Sequence, residues 1–398
     1  MCFLEFLYKQ VILTVYSYHI GFQKQNDHEE KKVFTNKDFV SLMQDIPQLP
    51  LERKNNDFSV DLYNCLQSYL RIIKLYYSSS IPQDLINYVD IIKNHILKAV
   101  DSFHKGFQVD AFNEMETCLV KDSFNGKRLI DQPVDLFYKD PQNNLSVSLY
   151  RVRKTDNKIT ERREMFHVPA ELRGNISTCR YSLDGFPSLY LSTSIRLARI
   201  ESDIANAYAS RFRFARKEQE HEMTQIKVID LGLRPKDFVG EVEDREKKED
   251  LDFQIRYILW YPIIAACSFI RSQQFSKNFA SEYIIPQLIM QILRKNSEVK
   301  DVVGIRYFSC KAYRASELGY NYAFPVSDFN LQLPYNTSSD TPNCYSYCEK
   351  LANSFKLTNP INITALSDEE AENELQKEQL SFLYPAYTFP FAKKEYQQ

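Results

Sequence analysis

A chain of 398 residues is longer than one hydrophobic core usually supports, so two domains, or one domain with a large extension, are expected. Apolar residues at 44% and charged residues at 26% exclude disordered and collagen-like chains. A net charge of -2 lacks the basic excess that phosphate-backbone binding demands, so nucleic acid is excluded as the main partner.

In chain order, Phe3 to Phe22 is apolar but interrupted by Glu5 and Lys9, and no basic segment precedes it, so it reads as neither a signal peptide nor a membrane span. From about Thr35 to Lys121 the pattern is helical. Leu62, Leu66, Tyr69 and Ile73, then Leu85, Val89, Ile92, Ile96, Ala99 and Phe103, recur at three- and four-residue steps, which predicts two amphipathic helices in an antiparallel hairpin. Ser80 is expected to cap the second of them, with Pro82 in its first turn. The polar run Pro141-Gln142-Asn143-Asn144 marks a domain boundary. Beyond it, Leu145 to Arg153, Ser188 to Ser192, Ile226 to Leu231 and Val302 to Phe308 read as strands, with helices at Ser194 to Ala209 and Ile285 to Lys295. The fold class is therefore α/β or α+β. The charged run Glu241 to Asp252 reads as a solvated loop or helix face. Tyr257 to Ile270 is apolar but too short to span a bilayer. From Leu333 a C-terminal extension carries turn residues and a capping box at Ser367-Asp368-Glu369-Glu370 that opens one helix, suited to a lid or a strap. The expected domains are thus residues 1–144, helical; 145–332, catalytic; and 333–398, the extension.

The eight cysteines are scattered rather than arranged as a dense disulfide framework, which points to a reducing cytoplasm. Cys344 and Cys348 are the one close pair, and no neighbouring His or Cys completes a tetrahedral metal set. Nine glycines, none two residues apart, exclude G-x-G-x-x-G and the phosphate-binding G-x-x-x-x-G-K. H-E-x-x-H and G-x-S-x-G are absent as well, which removes metallopeptidase and α/β-hydrolase readings.

The informative stretch runs from Glu164 to Glu201. Arg180-Tyr181-Ser182 is followed by a turn at Gly185 and Pro187, the strand Leu189-Tyr190-Leu191, and a helix from Ser194 that presents Glu201. Glu201 falls on the stripe of Leu197, Ile204 and Tyr208. A carboxylate on an apolar helix face must be neutral, paired or functional, because an unpaired buried charge is costly. Arg180 and Arg196 are the arginines at hand for a purely structural pair.

This stretch resembles the RES domain, named for its Arg, Glu and Ser. The match runs through Arg180, Gly185, Pro187, Tyr190 and Glu201. Upstream, Leu149-Tyr150-Arg151-Val152-Arg153 is similar to the family's opening strand. Downstream, Gly304 to Ser309 is similar to its closing strand, and Tyr322-Ala323-Phe324-Pro325 to its exit. After the arginine-aromatic pair this chain has Ser182-Leu183 where compact members often have Asn-Pro.

The resemblance implies an α+β, mixed-sheet catalytic domain like that of ADP-ribosyltransferases, behind an all-helical N-terminal region. It implies an NAD+-degrading enzyme that breaks the nicotinamide-ribose bond and passes ADP-ribose to phosphate or water, acting as a growth-inhibiting toxin or defence effector. Glu201, Arg180 and Ser309 would be catalytic, and Arg151, Arg153, Tyr181 and Tyr190 would bind substrate. NAD+ is then the substrate, with phosphate a possible co-substrate and no resident cofactor or metal. The implied partners are a neutralising antitoxin or regulator and a second copy of the chain, with neither membrane nor nucleic acid among them. The rival expectations are a protein mono-ADP-ribosyltransferase using the same pocket and a catalytically idle interaction scaffold.

Overall fold

The computed structural model describes residues 34–131, 134–135, 147–155, 157–183, 185–202, 207–214, 227–239, 250–272, 274, 279–295, 302–335 and 343–383. The N-terminal apolar segment, the Pro141 to Asn144 boundary and nearly all of the Glu241 to Asp252 run lie outside these residues.

Helix α1 (Asn36–Asp45) starts on a capping box between Thr35 and Asp38. The predicted hairpin is present as α2 (Phe58–Tyr76) and α3 (Gln83–His104). Three contacts fix its antiparallel register: Ser59 with His104, Lys93 Nζ with Gln67, and Lys74 Nζ with Asp90. Ser80 is not the cap expected of it. Its hydroxyl donates back to Tyr77 O, and Pro82 is the N-cap residue of α3. Helix α4 (Gln108–Glu116) follows.

One ten-stranded mixed sheet forms the body. Its strands are β1 (Val134–Asp135), β2 (Leu149–Lys154), β3 (Ser188–Ser192), β4 (Ala207–Phe214), β5 (Lys227–Leu231), β6 (Val302–Phe308), β7 (Tyr320–Pro325), β8 (Phe355–Leu357), β9 (Ile361–Asn362) and β10 (Ser381–Phe382). They are ordered β10-β8-β4-β2-β3-β7-β6-β5-β1, with β9 also pairing β4. Only β5 and β6 run parallel. A parallel pair needs a crossover, and α6 (Leu251–Cys267) and α7 (Ile284–Lys295) lie between these two strands in the chain.

Two sequence expectations change. Of the helix read over Ser194 to Ala209, α5 (Ile195–Ser202) is present, residues 203–206 with Ile204 lie outside the described residues, and Tyr208 belongs to β4. From Ala207 onward small or basic residues alternate with Tyr208, Ser210, Phe212 and Phe214, a period of two that a strand satisfies and a helix does not. The C-terminal extension is neither a lid nor a simple strap. It supplies β8 and β9, which pair with β4, and β10, which pairs with β8. Its helix α8 (Asp368–Lys377) opens on the predicted Ser367 capping box.

The helical region and the sheet share one core. Tyr69, Ile73, Ile92 and Ile96 of the hairpin belong to the same buried cluster as α6, α7, Ile305 and Tyr307. Tyr69 Oη donates to Ile258 O at 2.8 Å and Tyr261 Oη to Pro47 O at 2.6 Å, while Leu51 bridges Phe269 through the backbone. The apolar run from Tyr257 is thus the central core helix, and among the described residues no helix is long and apolar enough to cross a membrane.

A second core covers the opposite sheet face and contains His167, 1% exposed. Its Nδ1 donates to Val168 O (2.8 Å) and its Nε2 accepts the Cys348 N–H (2.9 Å), which fixes the neutral imidazole. Burial, with the charge of Arg151 adding to it, lowers its pKa to about 4. Protons therefore bind the unfolded chain first. The stabilisation from a neutral His167 is complete above the unfolded value of about 6.5 and is lost as pH falls toward 4, roughly 3 kcal/mol in all. The loss of urea stability between pH 7.5 and 4.5 should be smaller in His167→Gln, whose amide oxygen can still accept from Cys348 N. An identical pH dependence in the two proteins would refute the assignment.

Candidate active site

The segment carrying Arg180 is pinned from several sides. Gln287 of α7 donates to Cys179 O and Ser182 O, Ser188 Oγ donates to Tyr181 O, and Tyr181 N donates to Tyr190 Oη at 3.1 Å. Arg180 itself is 8% exposed. Its Nη1 donates to Cys267 O (2.9 Å) and its Nη2 to Phe269 O (2.6 Å), with the Tyr283 ring below it at 5.0 Å. Cys267 is the last residue of α6, so the cation sits where the helix dipole is negative and unpaired carbonyls need donors. Arg180 therefore has a structural task as well as a charge to offer, and Nε and one N–H on each terminal nitrogen remain for a ligand.

Glu201 comes from the last turn of α5. That helix is held by the C-terminal extension. Glu372 Oε1 accepts the Ile195 N–H at 2.8 Å, and Arg199 Nη2 donates to Ile363 O and Leu366 O while its Nε faces Asp368. Glu201 pairs with neither of the expected arginines. Arg196 is exposed, and the contact to Glu201 is a hydrogen bond from Asn321 Nδ2 at 2.7 Å. Among the described residues no ion pair reaches it.

Arg180, Tyr181, Tyr190 and Glu201 do come together, around Tyr307. The Tyr181 and Tyr307 rings lie 4.5 Å apart. The Tyr307 hydroxyl is pushed well up, first by burial and then by Glu201, Tyr190 and Tyr181 beside it, so it is a neutral donor. Burial likewise pushes the Cys310 thiol up to about 11, with Arg180 opposing and Glu201 adding. Ser309, fully buried between Phe308 and Cys310, accepts the Lys311 N–H at 3.3 Å.

Arg151 and Arg153 do not join this group. Tyr150 lies opposite Ser192 and shares its face with Tyr190, so Arg151 and Arg153, one residue out of phase, face the other way. Arg151 neighbours the charged Arg153 and the neutral His167, and burial lowers its pKa to about 10. Its Nη1 and the cross-strand Ser210 Oγ are buried without a hydrogen-bond partner among the described residues. Arg153 Nη1 donates to Glu164 O.

Sequence reasoning missed Asn321, Ser192 and Tyr307. The one local signal was the lone amide in the aromatic run Tyr320-Asn321-Tyr322-Ala323-Phe324.

No family profile matches the chain, and no solved structure matches it. Among curated proteins it is similar to the "Putative toxin YopC" of Bacillus subtilis (strain 168), with 25% identity over 339 residues, covering 81% of this chain and 70% of that protein.

Proposed function

We propose that this chain degrades NAD+ in the cytoplasm, breaking the bond between ribose C1″ and the nicotinamide nitrogen and passing ADP-ribose to phosphate or water. We propose further that it acts as a growth-inhibiting toxin or defence effector, held in check by a neutralising partner. The observation that carries the reading is a carboxylate without a cationic partner among the described residues, Glu201, anchored through one oxygen to Asn321 within a cluster of Tyr190, Tyr307 and Arg180. The resemblance to a protein named as a toxin supports the biological role.

The chemistry suits these groups. The electron pair of the breaking bond leaves with nicotinamide, which turns from a pyridinium into a neutral molecule and needs no proton. Positive charge then spreads over ribose C1″ and its ring oxygen. Glu201 stabilises that charge, the remaining Arg180 donors meet the pyrophosphate, and Tyr190 orients the substrate. The new bond to C1″ is formed by an oxyanion of phosphate, or by a water oxygen that gives up its proton to solvent.

Incubating the full-length protein with NAD+, with and without phosphate, and weighing the products distinguishes the acceptors. ADP-ribose-1″-phosphate or free ADP-ribose is the expected product. ADP-ribose found on protein would favour protein modification instead, and intact NAD+ under all conditions would overturn the reading.

A further inference from the structure

The environment of Asn321 goes beyond a single contact. Asn321 is 2% exposed and sits on β7 between Ser192 of β3 and Tyr307 of β6, directly opposite both. Residues opposite one another on neighbouring strands share a face, so these three side chains form a row beneath Glu201. Ser192 Oγ donates to Asn321 Oδ1 at 2.6 Å, and Asn321 Nδ2 donates to Glu201 Oε1 at 2.7 Å.

The direction of this chain is determined by its members. A carboxylate only accepts, so the amide must present its nitrogen to Glu201, and the amide oxygen is then left to take the Ser192 proton. Glu201 thus decides which way the amide lies, and Ser192 holds its other end in place. One Glu201 oxygen is engaged and the other is left to the cluster.

The register that makes the row is also built in. Thr193 N donates to Tyr320 O at 2.9 Å, and Thr193 Oγ1 accepts the Tyr320 N–H at 3.0 Å. Just before them, Gly319 has φ +124°, and a Cβ there would meet Thr193 Oγ1 at 2.2 Å. Glycine alone lets β7 enter at that point, and one residue of slip would turn Asn321 to the other face.

We infer that Asn321, with Ser192 behind it, is a positioning residue that aims the Glu201 carboxylate at the substrate. The inference rests on the NAD+-cleaving reading. A buried amide held at both ends costs no reorganisation when charge develops, which is the condition for a carboxylate to favour the transition state over the bound ground state.

The test is steady-state NAD+ loss by the full-length chain, with melting measured on the same preparations. Asn321→Ala should lower kcat about tenfold to a hundredfold at nearly unchanged KM, because the aim of Glu201 matters chiefly in the transition state. Ser192→Ala should give a smaller loss of the same kind, and it keeps the inference testable if the Asn321 variants fold poorly. Asn321→Asp keeps the size but sets like charges together, and should be the slowest of the three. A residue that works only through Glu201 has nothing left to do once that charge is gone, so Glu201→Gln/Asn321→Ala should be no slower than Glu201→Gln alone. A wild-type kcat in Asn321→Ala would overturn the inference and leave the activity standing, as would a full additional loss in the double variant. A wild-type chain that leaves NAD+ intact would overturn both.

Discussion

Glu201→Gln is expected to yield a folded protein that binds NAD+ in calorimetry and hardly turns it over. Glutamine keeps the shape of the side chain, and its Oε1 can still accept the Asn321 amide, so the contact seen at 2.7 Å survives. The negative charge does not. Loss of one preorganised electrostatic contact of this kind costs about 3 kcal/mol, or roughly a hundredfold in rate. A purely structural Glu201 predicts the reverse, a lowered melting temperature with activity retained in the folded fraction. The geometry already weakens that alternative, because no buried ion pair at Glu201 among the described residues would be broken. On the proposed function, expression of the wild type should deplete NAD+ and expression of the variant should be harmless. A destabilised but active Glu201→Gln protein would remove Glu201 from the chemistry.

What could be read from the sequence was whatever depends on local periodicity. The stripes of α2 and α3, the strand at Ser188–Ser192 and the capping box at Ser367 each repeat a spacing of a few residues, and each is present. The start of β4 is hidden because Tyr208 falls on the helical spacing of Leu197 and Glu201, although the period from Ala207 onward is already two. The pairing of β8 and β9 with β4 was out of reach, since nothing near Phe355 or Ile361 records that the partner strand lies more than a hundred residues earlier.

The same limit applies to the site. Arg180, Tyr190 and Glu201 lie within 22 positions and were found together by pattern. Asn321 and Tyr307 reach Glu201 only through the register of β3, β7 and β6. Arg151 shows the converse: next to Tyr150 in sequence, it faces away from the cluster because adjacent strand residues point to opposite sides.

The other large effect is expected far from the carboxylate, at the buried pair of Arg53 and Glu282. Arg53 Nη1 meets Glu282 Oε1 at 3.1 Å, and the two side chains are 3% and 0% exposed. Arg53 precedes α2, and Glu282 lies in the short turn before α7, so the pair fastens the helical region to the body. Glu282 also precedes Tyr283, whose ring lies under Arg180. Removing one partner of a buried pair withdraws the charge that compensated the other, at a cost of about 3 to 5 kcal/mol. Arg53→Met should therefore lower the urea midpoint sharply, and Glu282→Leu should do the same. Replacing both at once removes the two facing charges together, so the double variant should lose less than the sum of the two single losses. A cost below about 1 kcal/mol for each single variant, as for an exposed pair, would show that packing of Tyr69, Ile73 and Ile96 against α6 and α7 holds the region without help from the ion pair.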